Sequence, residues 1–269
     1  MAQLLKFAGL PRSTFYYQQK VLQAPDKEQK VKKQIQRIFA RHQGRYGYRR
    51  ITAALGHLGH RINHKKVQRL MNQLGLKSLV RPKKYRSYRG DIGQVAENTL
   101  DRDFSAQRAN EKWVTDVTEF NVAGEKLYLS PVMDLYNGEI IAFETARRPA
   151  YDLVGSMLKK ALLKLKPGET PVLHSDQGWH YRMPVYKRVL QQKGIKQSMS
   201  RKGNCLDNAA MESFFGVLKT EFFYPNKFGS VDELQTGIRK YIRYYNRERI
   251  KMKLKGLSPV QYRTQPLPA

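Results

Sequence analysis

The sequence of 269 residues has little cysteine, few acidic side chains and no long apolar stretch. Its single cysteine, Cys205, excludes an intrachain disulfide and a cysteine-rich zinc site, which fits a reducing cytosol. No apolar run approaches the roughly 18 residues of a membrane span, and the N-terminus lacks a signal-peptide pattern. These absences argue against a disulfide-stapled secreted protein and against a membrane protein.

Basic side chains outnumber the scarce acidic ones, with 50 Lys and Arg against 22 Asp and Glu, a net charge of +28 and a pI near 10.2. Such a charge predicts a polyanionic partner, nucleic acid above all. The excess is concentrated at the start, because residues 1–100 contain 22 basic and 4 acidic side chains. We interpret the first third as a basic binding arm and the remainder as a more ordinary globular domain.

The pattern of the first 76 residues predicts a small all-α domain. Apolar residues at helical spacing indicate helices over residues 28–41, 48–58 and 63–74. The last two are typical of a helix-turn-helix that presents basic side chains to DNA, namely Lys65, Lys66 and Arg69. A basic hairpin that contacts only phosphates explains the same pattern, so both interpretations stay open. His57, His60 and His64 straddle the turn without a cysteine, and we interpret them as exposed polar positions rather than zinc ligands.

Residues 77–110 are predicted to form a linker, first basic and then polar. Its basic part interleaves cations with tyrosines and includes Arg81, Lys83 and Lys84. Cations and aromatic rings in alternation suit a segment that lies along DNA, by counterion release and stacking. A plain solvated linker is the alternative.

From residue 111 the pattern changes to strands followed by alternating helices and strands. Strands are predicted over residues 112–120, 126–134, 139–145, 172–175 and 196–199, and helices over residues 152–165, 184–193 and from about 208. Three antiparallel strands followed by helices and strands in alternation predict an α/β fold. We expect a mixed five-stranded sheet with helices on both faces.

Three acidic residues stand out in this second part. Asp116 is predicted in mid-strand, and Asp176 ends a short apolar strand that Gln177-Gly178 breaks. Glu212 lies 35 intervening residues beyond Asp176, on the polar stripe of a helix that Asp207 or Asn208 could cap. A lone glutamate on a helix is usually part of a solvated face. The ordered set of three predicts a catalytic site instead.

Lys219 shares that polar stripe with Glu212. Positions four and seven apart on a helix lie above one another, so the helix offers a carboxylate and an ammonium on the same side. A structural salt bridge is the alternative role for this lysine.

Four stretches, taken in order, resemble one known family. They are Trp113-Val-Thr-Asp-Val-Thr, His174-Ser-Asp-Gln-Gly, Ser200-Arg-Lys-Gly-Asn-Cys-Leu-Asp-Asn-Ala-Ala-Met-Glu-Ser-Phe-Phe and Tyr241-Ile-Arg-Tyr-Tyr-Asn-Arg-Glu-Arg. With the 35-residue spacing, they are similar to the DDE transposases of the retroviral-integrase superfamily. The match is with the second-frame product of insertion sequences of the IS-three family, IS-one-fifty type, and it covers most of the chain.

The resemblance implies an RNase H-like integrase core preceded by a small helix-turn-helix-like domain. It makes Asp116, Asp176 and Glu212 the catalytic and metal-binding triad, with two Mg²⁺ ions for which Mn²⁺ can substitute. It makes Lys219 a DNA contact, and Lys202 in the preceding loop is a further candidate. The division of the chain is then 1–76 for the basic helical domain, 77–110 for the linker, 111–230 for the catalytic core and 231–269 for a C-terminal helix and basic tail.

The resemblance also implies a reaction and its partners. In that family, water frees a 3′-hydroxyl at the element end, and this hydroxyl then attacks another phosphodiester. The implied partners are the DNA of the element ends and of the target, further copies of the chain, and the first-frame protein, in the bacterial cytoplasm. No membrane partner is expected.

Other function classes explain part of the pattern. A DNA-binding protein without catalysis accounts for the charge but not for the ordered acidic motifs. A hydrolytic nuclease of the same fold accounts for the carboxylates equally well, although the resemblance favours strand transfer. Glu119, on the opposite pleat face, and Asp134, at the far end of its strand, are interpreted as carboxylates outside the metal site. For His180, a contact with DNA or water and a structural hydrogen bond both stay open.

Overall fold

A computed structural model describes residues 5, 7–9, 11–23, 26–79, 103–200 and 208–265. The chain divides into two compact units, Met1–Lys77 and Ser78–Ala269. The finer division into four parts stays a prediction. In the described ranges, every helix is too short or too polar to cross a membrane.

The first unit is helical where it is described, with α1 (Arg12–Gln23), α2 (Gln29–Arg41), α3 (Tyr48–His57) and α4 (His64–Gln73). The three predicted helices are confirmed to within one residue at each end. Asn63 shows why the bounds shift, because it precedes α4 as its cap and its side chain accepts a hydrogen bond from the Lys65 backbone N–H at 2.8 Å. The helices enclose a core of fully buried side chains: Ile35, Ile51, Leu55, Val67 and Leu70.

The second unit is built on one mixed sheet. Its strands are β1 (Lys112–Thr115), β2 (Thr118–Val122), β3 (Glu125–Asp134), β4 (Ile140–Ala146), β5 (Val172–Ser175) and β6 (Gln197–Met199). Antiparallel pairing joins β3 to β1, β2 and β4, whereas β1, β5 and β6 pair in parallel. The predicted mixed α/β sheet is therefore confirmed.

One predicted strand is interrupted. The expected strand over residues 112–120 is divided into β1 and β2, so the expectation of Asp116 in mid-strand was wrong. Thr115 lies opposite Val132 and Thr118 opposite Leu129, so the register against β3 is unchanged across the gap. In that register Asp116 faces Pro131, which has no backbone N–H to donate to the ladder. Because β1 and β2 both pair with β3 in this one register, the six strands occupy five positions across the sheet.

Helices cover both faces of the sheet, as expected. On one face lie α5 (Tyr151–Leu162), α6 (Trp179–Arg182) and α7 (Pro184–Gln192), with Trp113 and Val132 in the shared core. On the other lie α8 (Ala209–Leu218) and α9 (Val231–Arg247), packed on Val114 and Leu129. Trp113 and Val114 are adjacent in sequence and enter opposite cores, as strand geometry requires.

The segment that follows α9 folds back onto the sheet. A short helix, α10 (Pro259–Arg263), carries Arg263, whose guanidinium donates to the carboxylates of Asp134 and Glu139. Asp134 is fully buried and also accepts hydrogen bonds from the backbone N–H groups of Asn110 and Tyr136. This network fixes the ends of β1 and β3 to the C-terminal segment.

Candidate active site

Two of the predicted acidic residues follow neighbouring parallel strands. Val114 of β1 lies opposite His174 of β5, and the same offset of 60 residues separates Asp116 from Asp176. The carboxyl ends of parallel strands meet at one edge of a sheet. Asp116 and Asp176 therefore leave the sheet side by side and at the same level, although the sequence separates them widely.

Local hydrogen bonds hold each of these carboxylates. Asp116 Oδ1 accepts from the Val117 backbone N–H at 2.7 Å, and Asp176 Oδ1 accepts from the Gly178 N–H at 2.9 Å. A Cβ at Gly178 would stand only 2.9 Å from the same Asp176 oxygen, so the turn needs glycine for space. The predicted break at Gln177-Gly178 thus also positions the carboxylate.

The first turn of α8 brings Glu212 to this edge. Asn208 precedes α8 but does not cap it through its side chain, so the predicted capping role was wrong for this residue. Its buried amide instead donates to the Thr115 carbonyl at 3.2 Å, which ties the start of α8 to the end of β1. The other capping candidate, Asp207, lies outside the described residues.

Asp116 interacts electrostatically with the other two carboxylates. Burial raises the pKa of Asp116 to about 8, and the charges of Asp176 and Glu212 add to this shift. Burial also raises the pKa of Asp176, although the hydrogen bond from Gly178 opposes the shift. Among the described residues, however, no three His, Cys, Asp or Glu side chains stand close enough together to hold a metal ion as they are.

Lys219 completes the charged group. Its ammonium lies 5.3 Å from the centroid of the Phe120 ring, and its charge lowers the pKa of Asp116. Burial lowers the pKa of Lys219 itself, whereas the charges of Glu119 and Asp116 raise it. The turn after α8 thus brings a cation near Asp116 and Glu119. A π-helical turn, Lys219–Phe223, begins at this lysine.

The other side chains predicted to contact DNA differ in whether they are exposed, paired or outside the described residues. Lys65 is exposed on α4, whereas Lys66 and Arg69 pair with Glu28 at 3.0 and 2.6 Å. Four predicted contacts lie outside the described residues: Arg81, Lys83, Lys84 and Lys202.

The side chains that we interpreted as lying outside the site have other partners. Glu119 is exposed and pairs with Lys126 at 3.2 Å, and Asp134 is bound by Arg263. His180 is buried, and its Nε2 donates to the Pro149 carbonyl at 2.8 Å, which is the structural hydrogen bond of the two interpretations.

Sequence reasoning missed a buried ion pair behind the π-helical turn. The Arg249 guanidinium makes two hydrogen bonds of 2.7 Å to Glu221, which also accepts from the Tyr241 hydroxyl at 3.0 Å. The sequence does contain a signal for this pair: Glu221 occupies a core-facing position in the apolar stripe that contains Leu218 and Phe222. A charged residue in such a stripe indicates a buried partner.

Most of the chain is similar to known protein families and known proteins. Family models described as integrase core domain match residues 106–205 and 212–267, and a model described as HTH-like domain matches residues 26–84. The transposase InsK for insertion sequence element IS150 of Escherichia coli (strain K12) is 58% identical over 98% of this chain and 93% of that protein. A transposase for insertion sequence element IS1353 of Shigella flexneri is 43% identical over 98% of this chain and 52% of that protein.

A solved structure shares the fold. It is the cryoEM structure of a simian T-cell lymphotropic virus intasome in complex with PP2A regulatory subunit B56 gamma. The match has a TM-score of 0.51 and 18% sequence identity, and it covers 81% of this chain and 72% of that chain. The predicted integrase-core architecture is confirmed.

Proposed function

Because the chain belongs to the integrase-core transposases of insertion sequences, IS150 type, we propose that Asp116, Asp176 and Glu212 are the carboxylates with which it cleaves and joins DNA. The observation that carries this assignment is the parallel register of β1 and β5, which sets Asp116 and Asp176 side by side. The charges of Glu212 and Lys219 both act on Asp116. A non-catalytic DNA-binding role would leave this concentration of charge without a purpose.

The chemistry of these side chains fits divalent metal ions. Carboxylate oxygens are the hard ligands that Mg²⁺ prefers. The raised pKa of Asp116 reflects its burial first and then the like charges of Asp176 and Glu212, and a bound cation would relieve both. We propose that the three carboxylates together hold two Mg²⁺ ions, with Mn²⁺ as a substitute. Closure of the three-ligand set around the ions is part of this proposal. The chemistry that such ions supply is activation of the attacking oxygen and neutralisation of charge at the phosphate.

The chain's own groups orient the reaction. The N–H groups of Val117 and Gly178 hold the carboxylates of Asp116 and Asp176 in fixed orientations. The Lys219 ammonium binds a phosphate oxygen of the DNA beside them, because a phosphate offers it a better partner than the ring of Phe120. An incoming 3′-hydroxyl is thereby aligned against a phosphodiester that is already neutralised on one side.

Substitution of the triad tests the assignment. Asp116→Asn, Asp176→Asn and Glu212→Gln should each remove nearly all cleavage and joining while DNA binding survives. Glu125→Gln is the matched control, because it removes an exposed carboxylate of the same sheet that pairs with Arg147 rather than with the triad or Lys219. Strand cleavage and gel shift are measured in parallel with labelled element ends. Normal cleavage by any triad variant would remove that residue from the site.

Metal exchange tests the cofactor separately. Mg²⁺ or Mn²⁺ should support the reaction, whereas Ca²⁺ should permit DNA binding with little chemistry, because it is larger and less strict in geometry. Turnover that persists in excess chelator would contradict the two-ion proposal.

The DNA contacts are proposed on charge and exposure. Lys65, Lys66 and Arg69 of α4 would bind backbone phosphates, and the pairs with Glu28 would exchange for phosphate at little cost because they are exposed. Further proposed contacts are Lys202, Arg81, Lys83 and Lys84.

The proposed partners are the two ends of the element, the target DNA, further copies of this chain on the DNA, and the first-frame protein. The IS1353 relative, of which this chain covers 52%, supports the last of these, because it carries additional sequence on one chain. We place the reaction in the bacterial cytoplasm.

A further inference from the structure

Trp179 is an exposed aromatic residue beside the proposed carboxylates. It begins α6, three residues after Asp176, and it is 49% exposed. Gly178 allows the tight turn between them, since a Cβ there would stand 2.9 Å from Asp176 Oδ1 and 3.3 Å from the Tyr181 ring. The backbone of Trp179 is therefore held within one tight turn of Asp176.

The indole rests on a rigid support. Its ring centroid lies 3.9 Å from that of His180, at an interplanar angle of 30°. His180 is itself buried and fixed by its hydrogen bond to the Pro149 carbonyl. The turn before it is fixed as well, because the Gln177 amide donates to the Ser200 carbonyl at 3.0 Å. Trp179 thus presents a pre-ordered aromatic surface to solvent.

The proposed reaction gives the exposed indole of Trp179 no role. Carboxylates and Lys219 deal with phosphates, to which an indole ring offers little. An exposed aromatic ring is a surface on which a base can stack, and a base of a duplex becomes available for such stacking when it leaves the stack. The protein's large positive charge keeps DNA at its surface without any help from this residue.

We propose that Trp179 is a stacking platform for an unpaired base that flanks the scissile phosphate. This inference rests on the proposed function and adds to it a specific contact with a base. Stacking on the indole offsets the cost of opening the terminal base pair, which brings the scissile phosphate to the carboxylates. Any of the four bases can stack in this way. The contact therefore selects for a base that is unpaired and does not select for a particular base.

Tryptophan fluorescence tests the contact without chemistry. The chain has two tryptophans, and Trp113 is fully buried, so a change on DNA binding reports Trp179. The 269-residue chain is titrated in Ca²⁺ with duplexes that carry the terminal sequence of its insertion element. Emission should be quenched by the intact duplex, and much less by a duplex that is abasic next to the scissile phosphate. An abasic site ten pairs away should leave the quenching unchanged, and Trp179→Phe should abolish it.

Joining assays in Mg²⁺ test the consequence. Trp179→Ala should lower the joining rate about tenfold to a hundredfold, the range of one base–aromatic stack, while Trp179→Phe should lose less. Leu163→Ala is the control, because Leu163 is also exposed and lies at the end of α5. A mismatch at the flanking pair opens that pair in advance, so it should restore most of the rate lost by Trp179→Ala. A merely structural role would not be rescued in this way.

The outcomes separate this inference from the function on which it rests. Equal quenching by intact and abasic duplexes, or joining by Trp179→Ala at the wild-type rate, would overturn the stacking platform and leave the transposase assignment intact. Base-dependent quenching by a wild-type protein that joins no DNA would instead support the platform and contradict the proposed site.

Discussion

Lys219 follows α8 directly, and its half-buried ammonium has two kinds of neighbour: the Phe120 ring and the charges of Glu119 and Asp116. Both neighbours are available in the absence of DNA, so the side chain is pre-positioned rather than recruited by substrate. A pre-positioned cation beside carboxylates is suited to a phosphate and contributes little to stability.

Lys219→Ala should therefore reduce joining about tenfold to a hundredfold, the range expected for one charge-assisted hydrogen bond, and should hardly change the melting temperature. Lys219→Arg should retain more of the activity. Lys160→Ala, an exposed lysine of α5 that pairs with Glu144, is the control. Wild-type activity with a large fall in melting temperature would instead favour the salt-bridge role.

Lys251 gives a pH dependence of stability. Burial lowers its pKa to about 7, and the charges of Arg249 and Lys253 add to this shift. Its ammonium donates to the Gly138 carbonyl at 3.1 Å. Between pH 7 and the ordinary lysine range near 10.5, the unfolded chain binds the proton that the folded chain has released. Stability from this group therefore rises with pH across that window.

Lys251→Met should remove that dependence. The variant should be more stable than the wild type at pH 6 to 7, and the difference should shrink as the pH rises towards 10. Urea unfolding at a series of pH values measures it. A difference that does not vary with pH would contradict the assigned cause.

At the scale of elements, the π-helical turn Lys219–Phe223 connects the site to a buried ion pair. Glu221 and Arg249 are almost fully buried, and they join this turn to the segment that follows α9. A π-helical turn is a less stable local conformation than an α-helix, so tertiary contacts have to maintain it. The ion pair supplies such contacts within the turn that begins at Lys219.

Glu221→Gln should destabilise the second unit by about 3 to 5 kcal/mol, because it leaves the Arg249 charge buried without a counter-charge. Glu125→Gln, which breaks the exposed pair with Arg147, should cost at most about 1 kcal/mol. Both tryptophans, Trp113 and Trp179, belong to the second unit, so unfolding followed by their fluorescence reports that unit. Equal effects of the two substitutions would show that burial of the pair is not the decisive factor.

At the scale of the whole molecule, charge is divided unequally between the two units. The first unit is strongly basic, and the described part of α4 presents Lys65, Lys66 and Arg69 on its surface. Contacts of this kind go to phosphates and carry little information about base sequence.

The isolated chain should thus bind DNA with a steep salt dependence and modest discrimination between element ends and random duplex. Deletion of residues 1–76 should lower affinity similarly for both DNAs and make the salt dependence shallower. Competition titrations at several salt concentrations measure this. A preference for element ends of roughly a thousandfold or more at physiological salt would show that residues 1–76 read bases.

The sequence by itself determined the family and the order of the elements, and it indicated the three carboxylates that we propose for the site. Periodicity of two and of 3.6 residues reports which side chains are buried, and the spacing between Asp176 and Glu212 is a property of the chain alone. Three helices of the first unit, α2 to α4, were predictable to within one residue because their apolar periodicity is local, and Asn63 adds a local capping signal for α4.

Only the tertiary structure decided where these residues meet. Asp116 lies in a break because Pro131 faces it from the neighbouring strand β3, and the residues directly around Asp116 do not reveal that partner. Asn208 binds the Thr115 carbonyl instead of capping its own helix, since the fold brings the end of β1 within reach. Arg249 likewise binds Glu221 because the fold brings these two distant residues together. Propensity and spacing act between neighbours in sequence, whereas pairing register and burial act between neighbours in space.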